Sequence, residues 1–250
     1  YKWTMDTFDP MNLIDIATEM PKESKRERAK AKTRHALLKS ALQLYSAEGA
    51  CGMSMNKIAK NAGIAQPSFY NHFDSLESLQ NELSEQLKHH YLSPMRTAWI
   101  TMLKDYITLT SEQFHQRCQY CLTMIFDAAF QNIDLFQRLI EDGLRATTQA
   151  EHHERCQKGG VTDRLSDKGL GRLIGEIKES WAEIFAQGLT SAQCSFEASQ
   201  VNLCVDVAVA QVHELIIGCH QERYSRSQAI AILCKNFDVL FSSFFHESCH

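Results

Sequence analysis

This sequence predicts an all-α chain, with a small three-helix helix-turn-helix domain near its N-terminus and a larger helical body behind it. Three observations carry that expectation. Apolar residues recur at three- and four-residue spacing through most of the chain, the period of an amphipathic helix. The stretch 54–73 reads as a short helix, a glycine turn and a second short helix. Charge is also segregated: between Lys22 and Phe73 ten basic residues stand against three acids, a balance of +7 in a chain of net charge −4, which leaves −11 for the remainder. A basic module on an acidic body is the electrostatic footprint of nucleic-acid binding. A solvated basic helix face would give the same count.

Residues 1–21 show mixed polarity and no sustained period, and an arm is expected over 1–24. Over 25–47, Ala36, Leu37, Ala41, Leu44 and Tyr45 make one apolar stripe, lysines and arginines fill the opposite face, and Gly49 is placed to end the helix. Ser54 stands as N-cap of a short helix over 55–62, because its hydroxyl can accept a free backbone N–H. Gly63 supplies the turn, and a third helix is expected over 66–73. Ala59 is small enough to let these two helices approach, and Ile58, Ile64 and Phe69 can make a miniature core with Leu44. Asp74 or Ser75 caps a fourth helix over 76–90.

Further along, Ser93-Pro94 reads as the start of a new helix, with proline at its first position. After Ser111, the residues Phe114, Cys118, Cys121, Leu122, Ile125, Phe126 and Ala129 share one stripe. Helices are expected over 133–144 and 170–189, the latter carrying Ile174, Ile177, Trp181 and Phe185, with a polar loop over 151–168. Val201, Leu203, Val205, Val207 and Val209 alternate as a strand would. A lone strand has no sheet to join, and the apolar set runs on through Val212 to Ile217. A long helix apolar nearly all round is therefore expected over 196–220, followed by a last helix over 225–245.

Within the helix-turn-helix the second helix presents Gln66, Pro67, Ser68, Tyr70, Asn71 and His72. Such a helix lies in the major groove, where Gln and Asn can read adenine through two hydrogen bonds and Ser can serve either base. Tyr70 and His72 suit phosphate. So do Lys57 and the hydroxyls of Thr33 and Ser54, the latter two expected near helix starts.

These residues resemble the TetR family of bacterial repressors. The likeness rests on the basic first helix with Thr33-Arg34, on Ile58-Ala59, on Ala62-Gly63-Ile64 and on Phe69-Tyr70-Asn71-His72-Phe73, and it spans roughly Arg26 to Leu83. It implies a three-helix DNA-binding domain, placed over 25–75, and a helical domain over 76–250 that dimerises through the last two helices and holds an effector pocket. Leu76 stands where the family commonly has a phosphate-directed lysine. A branch regulating unsaturated fatty-acid synthesis shares the Gly-Ile-Ala, Ser-Phe-Tyr and His-Phe pieces, also lacks that lysine, and is similar around 132–143. The implied function is a homodimeric repressor of a palindromic operator, modulated by an apolar or amphipathic effector. Phe114, Phe126, Phe130, Trp181 and Phe185 are the candidate pocket residues, and Asp127, Glu141 and His213 are candidate polar groups within it.

Other chemistry is thinly represented. No glycine-rich phosphate loop, Gly-x-Ser-x-Gly elbow or His-Glu-x-x-His helix occurs, so neither an enzyme nor a cofactor is expected. The nine cysteines are an odd number in a long chain and are expected to be reduced. Cys118-x-x-Cys121, or His152, His153 and Cys156, could serve a redox- or metal-sensing regulator on the same scaffold. Each set lacks a full complement of zinc ligands, so no metal is assigned. No continuous apolar run approaches about 20 residues and the first residues do not read as a signal peptide, which together suggest a cytoplasmic protein.

Overall fold

The structure is a computed structural model that describes residues 24–49, 52–153 and 169–246, and every regular element among them is helical. In chain order the helices are α1 (Lys25–Glu48), α2 (Met55–Asn61), α3 (Gln66–Phe69), α4 (Leu76–Lys104), α5 (Ser111–Gln131), α6 (Ile133–His153), α7 (Leu173–Ser191), α8 (Ala198–His220) and α9 (Arg226–His246). Single 3-10 turns lie at Tyr106–Thr108 and Gly169–Arg172. The described residues divide into two compact units: those up to Lys88 together with those within 131–174, and His89–Phe130 together with those from Gly175 to His246.

The first unit is built on α1. Ser24 caps it with a reciprocal box: the Glu27 N–H donates to Ser24 Oγ at 3.3 Å and the Ser24 N–H donates to Glu27 Oε2 at 2.8 Å. The buried stripe is Leu37, Leu38, Ala41, Leu42 and Tyr45, while Ala36 and Leu44 are only half-buried. The expected stripe was thus rotated toward Leu38 and Leu42. α1 packs on α2, and Ile58 and Ala59 of α2, Phe69 and Phe73 around α3, and Leu79 and Leu83 of α4 are likewise essentially without solvent contact. One polar bond is buried with them, from Ser40 Oγ to the Ile58 carbonyl at 2.8 Å. Gly49 ends α1 at φ +73°, with its N–H on the Tyr45 carbonyl at 2.8 Å.

In the same unit α6 packs on α1. Burial, with the Asp142 carboxylate beside it, pushes the Tyr45 phenol far up. Gly143 lets α6 approach the start of α7: a Cβ there would stand 2.9 Å from Ile174 Cβ.

The second unit is centred on Trp99, which is 2% exposed. Its indole meets Trp181, Phe185, Phe237 and Phe241 at centroid distances of 5.7 to 6.0 Å. Gly188 brings α7 onto α4, since a Cβ there would lie 2.7 Å from Leu103 Cβ. α8 and α9 pack on each other, and their buried residues are Val201, Cys204, Val205, Ala208, Val212 and Ile216 on α8 and Ile230, Leu233, Cys234, Phe237 and Phe241 on α9. Arg226 ties the start of α9 to α5, donating from Nη2 to the Thr123 carbonyl at 3.0 Å and to Asp127 Oδ1 at 2.5 Å.

Several local expectations need correction. Ser93-Pro94 starts no helix, because α4 runs unbroken from Leu76 to Lys104. Proline lacks an N–H, but a long helix with a buried face tolerates the loss of one bond. The third helix is shorter than expected and ends at Phe69, with 70–72 as a turn. α6 runs on to His153, so the polar stretch after 150 begins in helix; Cys156 and the rest of that stretch lie outside the described residues. The alternating 201–217 stretch is helical, as its lack of a partner required. By length and mean hydropathy α8 and α9 could each span a bilayer. Asp206 and Glu214 on α8 and Lys235 on α9 nevertheless lie exposed on the helices that carry the buried α8–α9 contact.

Candidate nucleic-acid interface

The helix-turn-helix is fixed by local chemistry. Ser54 is the N-cap of α2, accepting the Lys57 N–H at 3.2 Å. At the other end Gly63, at φ +70°, allows a double closure: its N–H reaches the Lys60 carbonyl at 3.1 Å and the Ile64 N–H reaches the Ala59 carbonyl at 2.9 Å. α3 follows at once, with Pro67 in its first turn. The next residues stay coiled, with the Asn71 N–H on the Ser68 carbonyl at 3.2 Å and the His72 N–H on the Phe69 carbonyl at 2.9 Å. Ser75 then caps α4, its Oγ accepting the Ser78 N–H at 3.0 Å.

Phe69, fully buried, decides which way α3 faces. Gln66, Pro67, Tyr70 and Asn71 are exposed, and Ser68 and His72 are half-buried. The structure therefore brings the six expected α3 residues onto one short segment of the first unit. Two amides and a hydroxyl there can address base edges. Lys57 is exposed but pairs with Glu48 at 2.7 Å, so part of its charge is spent within the protein. Ser54 lies at a helix start as expected. Thr33 does not: it sits in the third turn of α1, where its hydroxyl donates back to the Ala29 carbonyl at 3.0 Å. The helix begins at Lys25, well before it, because the basic stretch is itself helical.

The residue that sequence reasoning passed over is Arg34. Its guanidinium pairs with Glu82 of α4, with Nε donating to Glu82 Oε1 at 3.2 Å, and it also donates to the His72 carbonyl. It lies 4.2 Å from the centre of the Phe73 ring. One side chain thus ties α1 to the end of the reading segment and to α4. Thr33-Arg34 was visible as part of the resemblance, but the distant partner Glu82 was not. His72, partly buried and facing the charges of Lys30 and Arg34, has its imidazole pKa held below the usual value.

The candidate pocket aromatics all fall in the second unit. Phe114, Trp181 and Phe185 join the cluster around Trp99 and Phe241: Phe114 meets Phe241 at 5.8 Å, and Phe185 meets it at 5.0 Å. Phe126 and Phe130 stack on each other at 6.5 Å under the Arg226 guanidinium. Trp99 itself was missed. Its Nε1 is buried with no hydrogen-bond partner among the described residues. Of the candidate polar groups, Asp127 pairs with Arg226 and Glu141 pairs with Arg138 on its own helix at 3.2 Å. His213 is half-buried on α8.

Of the two expected sensing sets, only Cys118 and Cys121 lie wholly among the described residues. Among the described residues no group of three His, Cys, Asp or Glu could hold a metal ion. Cys118 and Cys121 are buried in α5, and the Cys118 thiol, hydrogen-bonded to Cys234, has its pKa pushed far up. Burial raises Cys121 to about 12. Neither is poised as a thiolate near neutral pH.

Comparison with known proteins finds similarity in this segment and in the fold. Residues 37–83 match the family described as "Bacterial regulatory proteins, tetR family". Two solved structures share the fold. A tetR-family transcriptional regulator from Streptomyces coelicolor aligns at TM-score 0.51 and 17% identity, covering 87% of this chain and 82% of its own. A TetR-like transcriptional regulator from Rhodococcus sp. RHA1 aligns at TM-score 0.51 and 14% identity, covering 84% and 93%. No curated protein matches the sequence. The matched segment contains the capped α2, the Gly63 turn and the exposed face of α3, so it is the helix-turn-helix of this chain that is similar to the bacterial tetR-family regulatory proteins.

Proposed function

We propose that the protein is a homodimeric repressor that binds a palindromic operator, with Gln66, Ser68 and Asn71 at base edges and Tyr70, His72, Lys57 and Ser54 at phosphates. The observation that carries this is α3: a helix anchored by one buried phenylalanine, with amides and a hydroxyl turned outward on a basic module. Tetr-type chains of this kind dimerise through their last two helices. Here α8 and α9 leave Leu203, Ile232 and Val239 exposed, at 66%, 46% and 71%, apolar side chains that a dimer interface on these helices would cover. Two copies would set their α3 segments in successive major grooves, about one helical turn apart or more.

The proposed effector is apolar or amphipathic, a fatty acyl compound if the resemblance to the fatty-acid branch extends to function. The aromatics around Trp99 are packed together as an apolar core, and the buried, unpaired Trp99 Nε1 is the one donor within it that a ligand could meet. The effector would act by binding the form of the dimer that no longer fits the groove spacing. As a regulator of this type the protein would work in the cytoplasm and catalyse no reaction.

The test is selection of the purified protein on random-sequence DNA, followed by titration of the enriched site with fatty acids and acyl thioesters. Enrichment of an inverted repeat, with affinity lost on adding one of these compounds, is the expected result. Binding with no sequence preference and a purely salt-driven affinity would make it a structural DNA binder instead.

A further inference from the structure

We propose that the first two turns of α1 are a second DNA contact, in which Arg26 and Lys30 grip backbone phosphates beside the bases that α3 addresses; the proposal rests on the reading of the protein as a sequence-specific DNA binder. Five of the eight residues from Lys25 to Lys32 are basic: Lys25, Arg26, Arg28, Lys30 and Lys32. All eight are exposed. None of the five makes an ion pair with another described residue, and the first buried side chain of α1 is Leu37. The stretch is helical without any packing to hold it.

Its charges work against it. Cations near a helix N-terminus oppose the macrodipole, and like charges four residues apart repel, as Arg26 with Lys30 and Arg28 with Lys32 do. Its single acid, Glu27, is engaged in the Ser24 cap. The first amides are therefore partly satisfied, and any anion must be held by the side chains rather than by the helix end. A segment that is unfavourable alone and carries five cations against one capped acid is complementary to a polyanion.

The register says which side meets it. Arg34 touches the His72 carbonyl and the Phe73 ring. Lys30 and Arg26 precede Arg34 by one and two turns on the same face, roughly 6 and 12 Å back along the axis. The charge of Lys30 acts on the His72 imidazole together with that of Arg34. The stripe Arg26–Lys30 therefore begins at the end of the reading segment and continues away from it. Lys25, Arg28 and Lys32, spaced three and four apart, lie on the other side of the helix. Phosphate contacts of this kind fix register and orientation and carry no sequence information.

The experiment compares two variants of the full chain on the operator that the wild type selects: Arg26→Ala/Lys30→Ala, and Lys25→Ala/Arg28→Ala/Lys32→Ala. Alanine favours helix and every site is exposed, so both should fold. Log affinity is measured against log salt, and phosphate-ethylation interference maps the backbone. The double variant should lower the salt slope by about 2, at roughly 0.9 per lost phosphate contact, with unchanged base preference. It should also lose interference at phosphates flanking the bases that α3 covers. The triple variant should lower the slope by less, although it removes more charge. Slopes that fall in proportion to the charge removed, or a double variant that leaves slope and interference unchanged, would overturn the inference alone. A wild type that enriches no sequence would overturn the underlying reading with it.

Discussion

At the scale of single residues, the reading segment depends on two positions with different physics. Gly63 sits at φ +70°, and a Cβ there would meet nothing within 4 Å. Gly63→Ala therefore costs only backbone strain, about 1 kcal/mol, seen as a lower urea midpoint, and Gly63→Asn should recover part of it. Arg34 has a contact role. Arg34→Ala removes the Glu82 pair, the bond to the His72 carbonyl and the stacking on Phe73. Because the pair is partly solvated, at 38% and 28% exposure, the loss should be about 1–2 kcal/mol. Arg34→Lys should recover little of it, since an ammonium cannot serve Glu82 and the carbonyl as a planar fork does. The glycine could be read from its place between two short helices. Arg34 could not, because its partners lie 38 and 48 residues away.

At the scale of elements, the sequence was most legible where one helix buries one continuous stripe. On α5 the expected Phe114, Cys118, Cys121, Leu122, Phe126 and Ala129 are all buried, and only Ile125 is not. It was least legible where a helix serves two environments. α4 runs through both units, so no single period describes it, and the Ser93-Pro94 pair suggested a break that packing overrides. Close approaches are equally hidden, because they need glycine on one helix and a large residue on a distant one. Gly188 and Leu103 are such a pair. Gly188→Ala should destabilise the protein by about 1–3 kcal/mol through overpacking, and Leu103→Ala in the same chain should cost less than the two changes added, in a double-mutant cycle read by thermal unfolding.

α8 also carries a pH response. Burial, then the charge of Lys178, lowers the His213 pKa from 6.5 to about 4. The folded state thus prefers the neutral imidazole. Its contribution is complete above about pH 6.5 and is lost as the pH falls toward 4, while the unfolded chain takes up a proton that the folded chain refuses. Urea midpoints should fall between pH 7 and pH 5, and His213→Gln should flatten that fall.

At the scale of the whole molecule, the division of charge and the division of apolar surface make different demands. The basic excess lies in the helix-turn-helix module and the acidic excess in the remainder, so only the former is electrostatically complementary to a polyanion. The exposed apolar residues of α8 and α9 have no such electrostatic account. Ile232 and Val239 are seven apart and share a face of α9, and Leu203 stands on α8, which packs against it. A palindromic site requires a two-fold partner, and a self-complementary apolar face is what a two-fold interface uses. Val239→Asp places a charge on that face without touching the buried core, since Val239 is 71% exposed. If α8 and α9 form the dimer, sedimentation should show the variant as a monomer with native helix content. Its affinity for a full palindrome should fall to that of a half-site, because the second half-site no longer binds at high effective concentration. A Val239→Asp variant that still sediments as a dimer and still binds the full palindrome would place the two-fold contact on another surface.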